Sequence, residues 1–241
     1  MRALSWRTRL ELALASPAAL RVMDRASIVG VAQAVRPGLS EAAIERWVHE
    51  AVGARRLQRV VRGLYLNQLI SPPAQLCEAA VWLRPGAVVS LQTVLGDCGA
   101  WNNYTDWVTA VVPLSQRYTV PSLGRLETAA GTFVFRGMRE SVLEAGEEQD
   151  RLDVSKPYRR ATPEAALLHW LYLSNSPRSD MSEPPLDLEV ESLDARKLQR
   201  LARTMGIDGP LQAVLTRRGM TPARAARARS DRPATKMRRP L

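Results

Sequence analysis

The residue types able to do covalent or metal chemistry are few and scattered in this chain. His49 and His169 are its two histidines, and Cys77 and Cys98 its two cysteines. Neither thiol has a His or Cys at metal-ligand spacing, so zinc is not expected. The cysteines are read as buried thiols of a reducing compartment. Glu147, Glu148, Asp150 and Asp153 form an acidic run, read with its flanks (144–153) as an exposed, solvated face. A nuclease would need carboxylates and a lysine grouped at strand ends, and of Lys156, Lys197 and Lys236 only the first lies near acids. No glycine-rich phosphate loop or Gly-x-Ser-x-Gly elbow occurs. Both histidines are read as surface or helix-face residues. The expectation is a protein with no catalytic residues, no metal and no cofactor.

The chemistry that the sequence does favour is electrostatic. Arg55, Arg56, Arg59 and Arg62 crowd into eight residues, interleaved with Leu57, Val60 and Val61. Guanidinium forks match phosphate geometry. The formal net charge of +10 is unevenly spread. Residues 1–67 hold 11 Lys/Arg against 5 Asp/Glu, and residues 216–241 hold 9 against 1. Residues 68–150 hold 5 against 9, and residues 151–215 hold 9 of each. A polyanionic partner would meet the two ends.

The elements that must position those arginines lie between Ala26 and Asn67. Ser27 is the expected cap of a helix with Ile28, Val31, Ala32 and Val35 inward. Arg36-Pro37-Gly38-Leu39 breaks it. Ser40 caps a second helix, Glu41 to Val52, with Ile44, Trp47, Val48, Ala51 and Val52 on its inner face, and Gly53 closes it. Leu57 to Val61 and Leu64 to Leu66 read as strands joined by a turn at Arg62-Gly63. Two helices, a tight turn and a basic hairpin form the pattern of a winged helix-turn-helix, which sets its second helix in the DNA major groove and its wing on the backbone or minor groove. The expected DNA-contacting set is Ser40, Ala43, Arg46, His49, Arg55, Arg56, Arg59 and Arg62, with Glu50 beside the base-facing residues. The glutamates of the second helix, Glu41, Glu45 and Glu50, count against phosphate binding unless they face away or read cytosine.

Upstream, Leu4 to Ala15 reads as an amphipathic helix, with Leu4, Leu10, Ala13 and Leu14 near one face. Ser16-Pro17 reads as the start of another, Ala18 to Asp24. Arg7, Arg9 and Glu11 interrupt what would be a signal peptide's apolar core, and no apolar run is long enough to span a membrane, so a cytoplasmic location is expected. Ser71-Pro72-Pro73 is read as a domain boundary. Beyond it the sequence predicts helices at Ala74 to Leu83, at Leu91 to Asp97 capped by Ser90, at Pro163 onward capped by Thr162, at Asp194 to Met205, and one after Gly209-Pro210 running to about Arg218. Trp107 to Val112 and Thr132 to Phe135 are the clearest strands. The fold class is α+β: a winged helix over 1–70, a mixed α/β domain over 71–218, and a disordered basic tail over 219–241.

Four features of this layout resemble the AbiEi-like antitoxins of type IV toxin–antitoxin systems. Val61-Arg62-Gly63-Leu64-Tyr65-Leu66 is similar to that family's wing ending, and Gly86-Ala87-Val88-Val89-Ser90-Leu91-Gln92-Thr93-Val94-Leu95 to its next segment. A strand like Trp107 to Val112 follows, and Arg160-Ala161-Thr162-Pro163-Glu164-Ala165-Ala166-Leu167-Leu168 resembles its Ala-Thr-Pro-Glu box. The chain departs from the family at Ala165, usually Lys, and His169, usually Asp. The resemblance implies a repressor of its own operon in phage defence, binding inverted repeats in double-stranded promoter DNA as monomer or dimer. It also implies a nucleotidyltransferase-like toxin encoded next door, counteracted without a necessary stable complex, with the C-terminal domain contributing to antitoxicity. The residues themselves leave two other readings open. One is a winged-helix regulator whose second domain senses a ligand or dimerises. The other is a protein-docking module that binds no DNA.

Overall fold

The computed structural model describes residues 4–103, 105–115 and 123–219. The expected basic tail lies, beyond Gly219, outside the described residues. The chain is a mixed α+β protein with two sheets. The first half runs α1 (Trp6–Leu14), β1 (Val22–Asp24), α2 (Arg25–Val35), α3 (Glu41–Gly53), β2 (Leu57–Val61) and β3 (Leu64–Asn67). Its strands form an antiparallel sheet in the order β1-β3-β2.

Ser5 caps α1, which buries Leu10 and Leu14 and leaves Leu4 exposed. The helix expected over Ala18 to Asp24 is instead the strand β1. Its residues alternate across the sheet, Val22 into one core and Met23 into the other, and β3 offers a free edge for it to pair with. Local helix propensity yields to that two-sided burial. Asp24, not Ser27, caps α2: its Oδ1 accepts from the Ser27 amide at 2.8 Å and from the Ser27 hydroxyl at 2.6 Å. Those bonds hold the Asp24 carboxyl below its ordinary pKa.

The second half opens with a 3₁₀ turn at Leu76–Ala79 and α4 (Ala80–Leu83), which together replace the single expected helix. Then come β4 (Val88–Val89), α5 (Gln92–Asp97), β5 (Trp107–Leu114), β6 (Gly124–Thr128) and β7 (Gly131–Arg139). The sheet order is β4-β5-β7-β6, with β5 and β7 parallel and the other pairs antiparallel. Short helices α6 (Glu140–Leu143) and α7 (Glu148–Arg151) lead to α8 (Pro163–Ser174), α9 (Ala195–Met205) and α10 (Asp208–Arg217). Thr162 caps α8, with Pro163 at its first position. Residues 164–171 of α8 are all buried, so it is the central helix of the larger core. Among the described residues, no helix is long and apolar enough to cross a membrane.

Ser71-Pro72-Pro73 does not separate two cores. Val22, Val60, Leu64 and Leu66 belong to the same buried cluster as Ala79, Val89, Phe133 and Leu167. Met23 and Leu57, from the same small sheet, belong to a second cluster with Leu10, Ile28, Ile44 and Trp47. Each face of the sheet therefore packs against a core, while Gln58 and Arg59 of β2 stay exposed. Arg21 fastens the joint: it grips Glu78 bidentately at 2.6 and 2.8 Å and donates to the Pro72 and Pro73 carbonyls, each at 3.1 Å. Glu78 is 3% exposed and also accepts from the Gln75 amide at 2.7 Å. The turn between β6 and β7 adds a backbone bond, Ala129 N–H to the Val60 carbonyl at 3.0 Å. A bulge in β2 between Arg59 and Val61 sets Val60 out of register with β3.

The acidic run at 144–153 is only partly a solvated face. Asp150 is buried and accepts two bonds from Arg200, at 2.7 and 2.6 Å, which lower its pKa. Glu144 joins Arg151 and Arg159. Two further expectations are corrected at Ser90 and His169. Ser90 is fully buried and its Oγ lies 2.8 Å from His169 Nδ1, so it caps no helix. Leu91, at φ 58°, occupies the cap position of α5. His169 faces the core rather than the surface, and burial pushes its pKa down to about 3, with Arg151 adding to the shift.

Two outcomes follow from these buried polar groups. Glu78→Ala takes the carboxylate from a partly exposed Arg21, which keeps its bonds to the proline carbonyls, and urea unfolding should show a loss of about 1.5–3 kcal/mol; a loss below about 1 kcal/mol would mean the pair does not anchor the joint. His169 is neutral when folded and takes a proton below about pH 6.5 when unfolded. The unfolded chain thus binds the extra proton, and this stability is lost as pH falls from 6.5 towards 3, on the order of 3 kcal/mol by pH 4. His169→Asn should flatten that slope between pH 6 and 4; an unchanged slope would assign acid sensitivity to other groups.

Candidate nucleic-acid interface

The predicted contact residues lie on α3 and on the β2–β3 hairpin. Ser40 caps α3, its Oγ accepting from the Ala43 amide at 3.3 Å. The turn before it is held by a residue that sequence reasoning overlooked. Gln33 donates to the Leu39 carbonyl at 2.7 Å and accepts from the Gly38 amide at 3.0 Å, while Gly38 takes φ 78°. A glutamine one turn from a helix end has no sequence signal for such a clamp.

Helical periodicity sorts α3 into three sides. Ile44, Trp47 and Ala51 are buried. Glu41, Glu45, Val48, His49 and Val52 line a cleft of about 510 Å³ shared with α2 and the hairpin. Arg46 stands on the outer side, exposed, close to His49 along the helix. Ala43 is half-buried. The opposite wall of the cleft carries Arg59 and Arg62, with Tyr65 between hairpin and helix. Tyr65 pairs with Arg59 across the strands.

Ion pairing divides the charges of this face. Arg25, at the start of α2, reaches Glu41 at 2.9 Å and Glu45 at 2.5 Å. Arg7 of α1 pairs with Glu50, and Glu11 of α1 with Arg56. Each acid of α3 thus has an arginine partner from another helix. These pairs are exposed and add little stability, but they cancel the negative field on the helix. Arg56 and Glu50, both expected to face a duplex, each form an exposed ion pair with α1. Arg46, Arg55, Arg59 and Arg62 have no acidic partner within 4.0 Å among the described residues, and all four are exposed.

Arg55 also carries a backbone signature. The helix runs through Gly53, and the chain reverses at Arg55, which takes φ 57°. Gly53, expected to close the helix, does not adopt that conformation. A left-handed non-glycine residue is disfavoured, and such positions concentrate where a side chain has a task. The other titratable candidates do not gather here. Cys77 is buried and Cys98 exposed, which corrects the reading of two buried thiols. No group of three or more His, Cys, Asp or Glu positioned for a metal occurs among the described residues.

The chain is similar to the RV2827C protein from Mycobacterium tuberculosis. The two are 17% identical, with a TM-score of 0.55 over 98% of this chain and 84% of that one. At that identity the likeness is one of fold. No family model and no curated protein matches the chain.

The strain at Arg55 can be measured. Arg55→Gly should raise the unfolding free energy by about 0.5–1 kcal/mol by relieving the left-handed conformation; a loss of stability would show that the arginine side chain makes a compensating contact.

Proposed function

We propose that the chain is a winged-helix repressor that binds double-stranded promoter DNA through α3 and the β2–β3 hairpin. The observation that carries this reading is the separation of charge on one face. Every acid of α3 is taken up by an arginine of a neighbouring helix, while Arg59 and Arg62 on the hairpin wall of the cleft, Arg46 on the outer side of α3 and Arg55 after its end pair with no acid among the described residues. A phosphate backbone meeting the hairpin encounters cations free to pair with it. On this reading Arg46, on the outer side of α3, and His49, on its cleft side, reach base edges. The resemblance of the wing ending and the Ala-Thr-Pro-Glu box to AbiEi-like antitoxins supports the finer reading. On it, the chain represses a toxin–antitoxin operon in the cytoplasm and counteracts a nucleotidyltransferase-like toxin.

A mobility-shift assay on the DNA upstream of the gene, beside a random duplex of equal length, tests this at physiological salt. Arg59→Ala with Arg62→Ala should weaken both duplexes alike and reduce the salt slope by about 2. Arg46→Ala should weaken the upstream site by roughly 5- to 150-fold and leave the random duplex nearly unchanged. No shift with either duplex would favour a protein-docking module instead. Equal losses for Arg46→Ala on both duplexes would remove α3 as the reader. Rescue of growth on co-expression with an adjacent nucleotidyltransferase-like gene tests the antitoxin part.

A further inference from the structure

The larger sheet ends at β6. This strand pairs with β7 from Gly124 to Thr128, and no other strand pairs with it among the described residues. An uncovered edge presents backbone N–H and C=O groups that can template a further strand. Natural edges are blunted by charge, often of one sign, which repels a second copy. The edge at β6 is different. Arg125 and Glu127 are 56% and 77% exposed, two residues apart on the same side, with Nε and Oε1 3.3 Å apart. Leu126 between them packs against the larger core. The Arg125 guanidinium also lies 5.9 Å from the Trp107 ring centroid, which holds it over the sheet.

Antiparallel strands oppose residues symmetrically about a centre. A two-fold axis through Leu126 sets Arg125 against Glu127 of the partner subunit and Glu127 against Arg125 of the partner subunit. Directly opposed side chains stand about 4.5–5.5 Å apart at Cβ, within ion-pair reach for this pair of residue types. In-register parallel pairing would instead set like charge against like. The sequence Gly124-Arg125-Leu126-Glu127-Thr128 is therefore complementary to itself in one orientation and repelled by itself in the other.

We propose that β6 is a self-association surface whose occupant is a second copy of this chain. Two β6 strands join antiparallel about Leu126 and make one continuous sheet from the two four-stranded sheets. The interface is isologous, with the same residues contributed from each side. Its ladder is short, so the dimer dissociates on dilution.

Sedimentation velocity of the full chain over a concentration series, without nucleic acid, tests the proposal. The wild type should pass from monomer to dimer as concentration rises. Arg125→Glu and Glu127→Arg should each weaken association at least tenfold, because each makes both positions of the strand one sign. An equimolar mixture of the two variants should recover association, since an acidic strand then meets a basic one. The double variant R125E/E127R should recover it alone. Both sites are exposed, and circular dichroism verifies that the variants fold. A wild type that stays monomeric throughout, or a mixture no tighter than its two components, overturns the proposal.

Discussion

The structure depends on a three-stranded sheet that packs a core against each of its faces. Strand β1 enters it between two helices, places Val22 in one core and Met23 in the other, and so ties the two halves of the chain. A sheet packed on both sides cannot shift by one residue without exchanging its two faces. Register is thus specified twice, once by the helices α1 to α3 and once by the larger core. The pair of Arg21 with buried Glu78 acts at the same joint, because its guanidinium also holds the carbonyls of the Pro-Pro segment. What reads as a linker in the sequence is tied to the first half of the chain by these bonds.

That fixity shapes the electrostatics. Helix α3 is acidic by sequence and would face a polyanion poorly. Its acids are compensated from two sides, by Arg7 of α1 and Arg25 of α2, only because α1 and α2 are held against it. The same arrangement withdraws Arg56 and leaves Arg46, Arg55, Arg59 and Arg62 uncommitted. The field of the face is a property of the packing rather than of the local composition.

Much of this was legible in the sequence, and the failures have physical causes. The caps at Ser40, Thr162 and Asp194 and the hairpin turn at Arg62-Gly63 are local chemistry, and each sits where local rules put it. The strand β1 was invisible because its pairing partner lies more than forty residues downstream, at Leu64 to Leu66. Ser90 mimics a helix cap in sequence, yet its hydroxyl serves His169, a contact across the core that no local rule can announce. The acidic run misled for the same reason: the partner of Asp150 is Arg200 on a distant helix. For the candidate interface, residue types were readable, whereas which arginines are already spent in ion pairs was not.

One contact bears on what the chain can tolerate. Ala129 and Ala130 form the tip of an exposed hairpin, the kind of place where insertions, tags and permuted ends are usually accepted. Here the Ala129 backbone N–H is committed to the Val60 carbonyl, and the Ala130 carbonyl lies 3.5 Å from the side-chain Nε2 of Gln58. The bulge of β2 finds its partner in that tip. Lengthening the loop by one residue would displace the atoms that make both contacts, so a site that looks permissive by exposure is constrained by bonding. For anyone dividing, labelling or grafting this protein, the hairpin tip is the wrong place to cut.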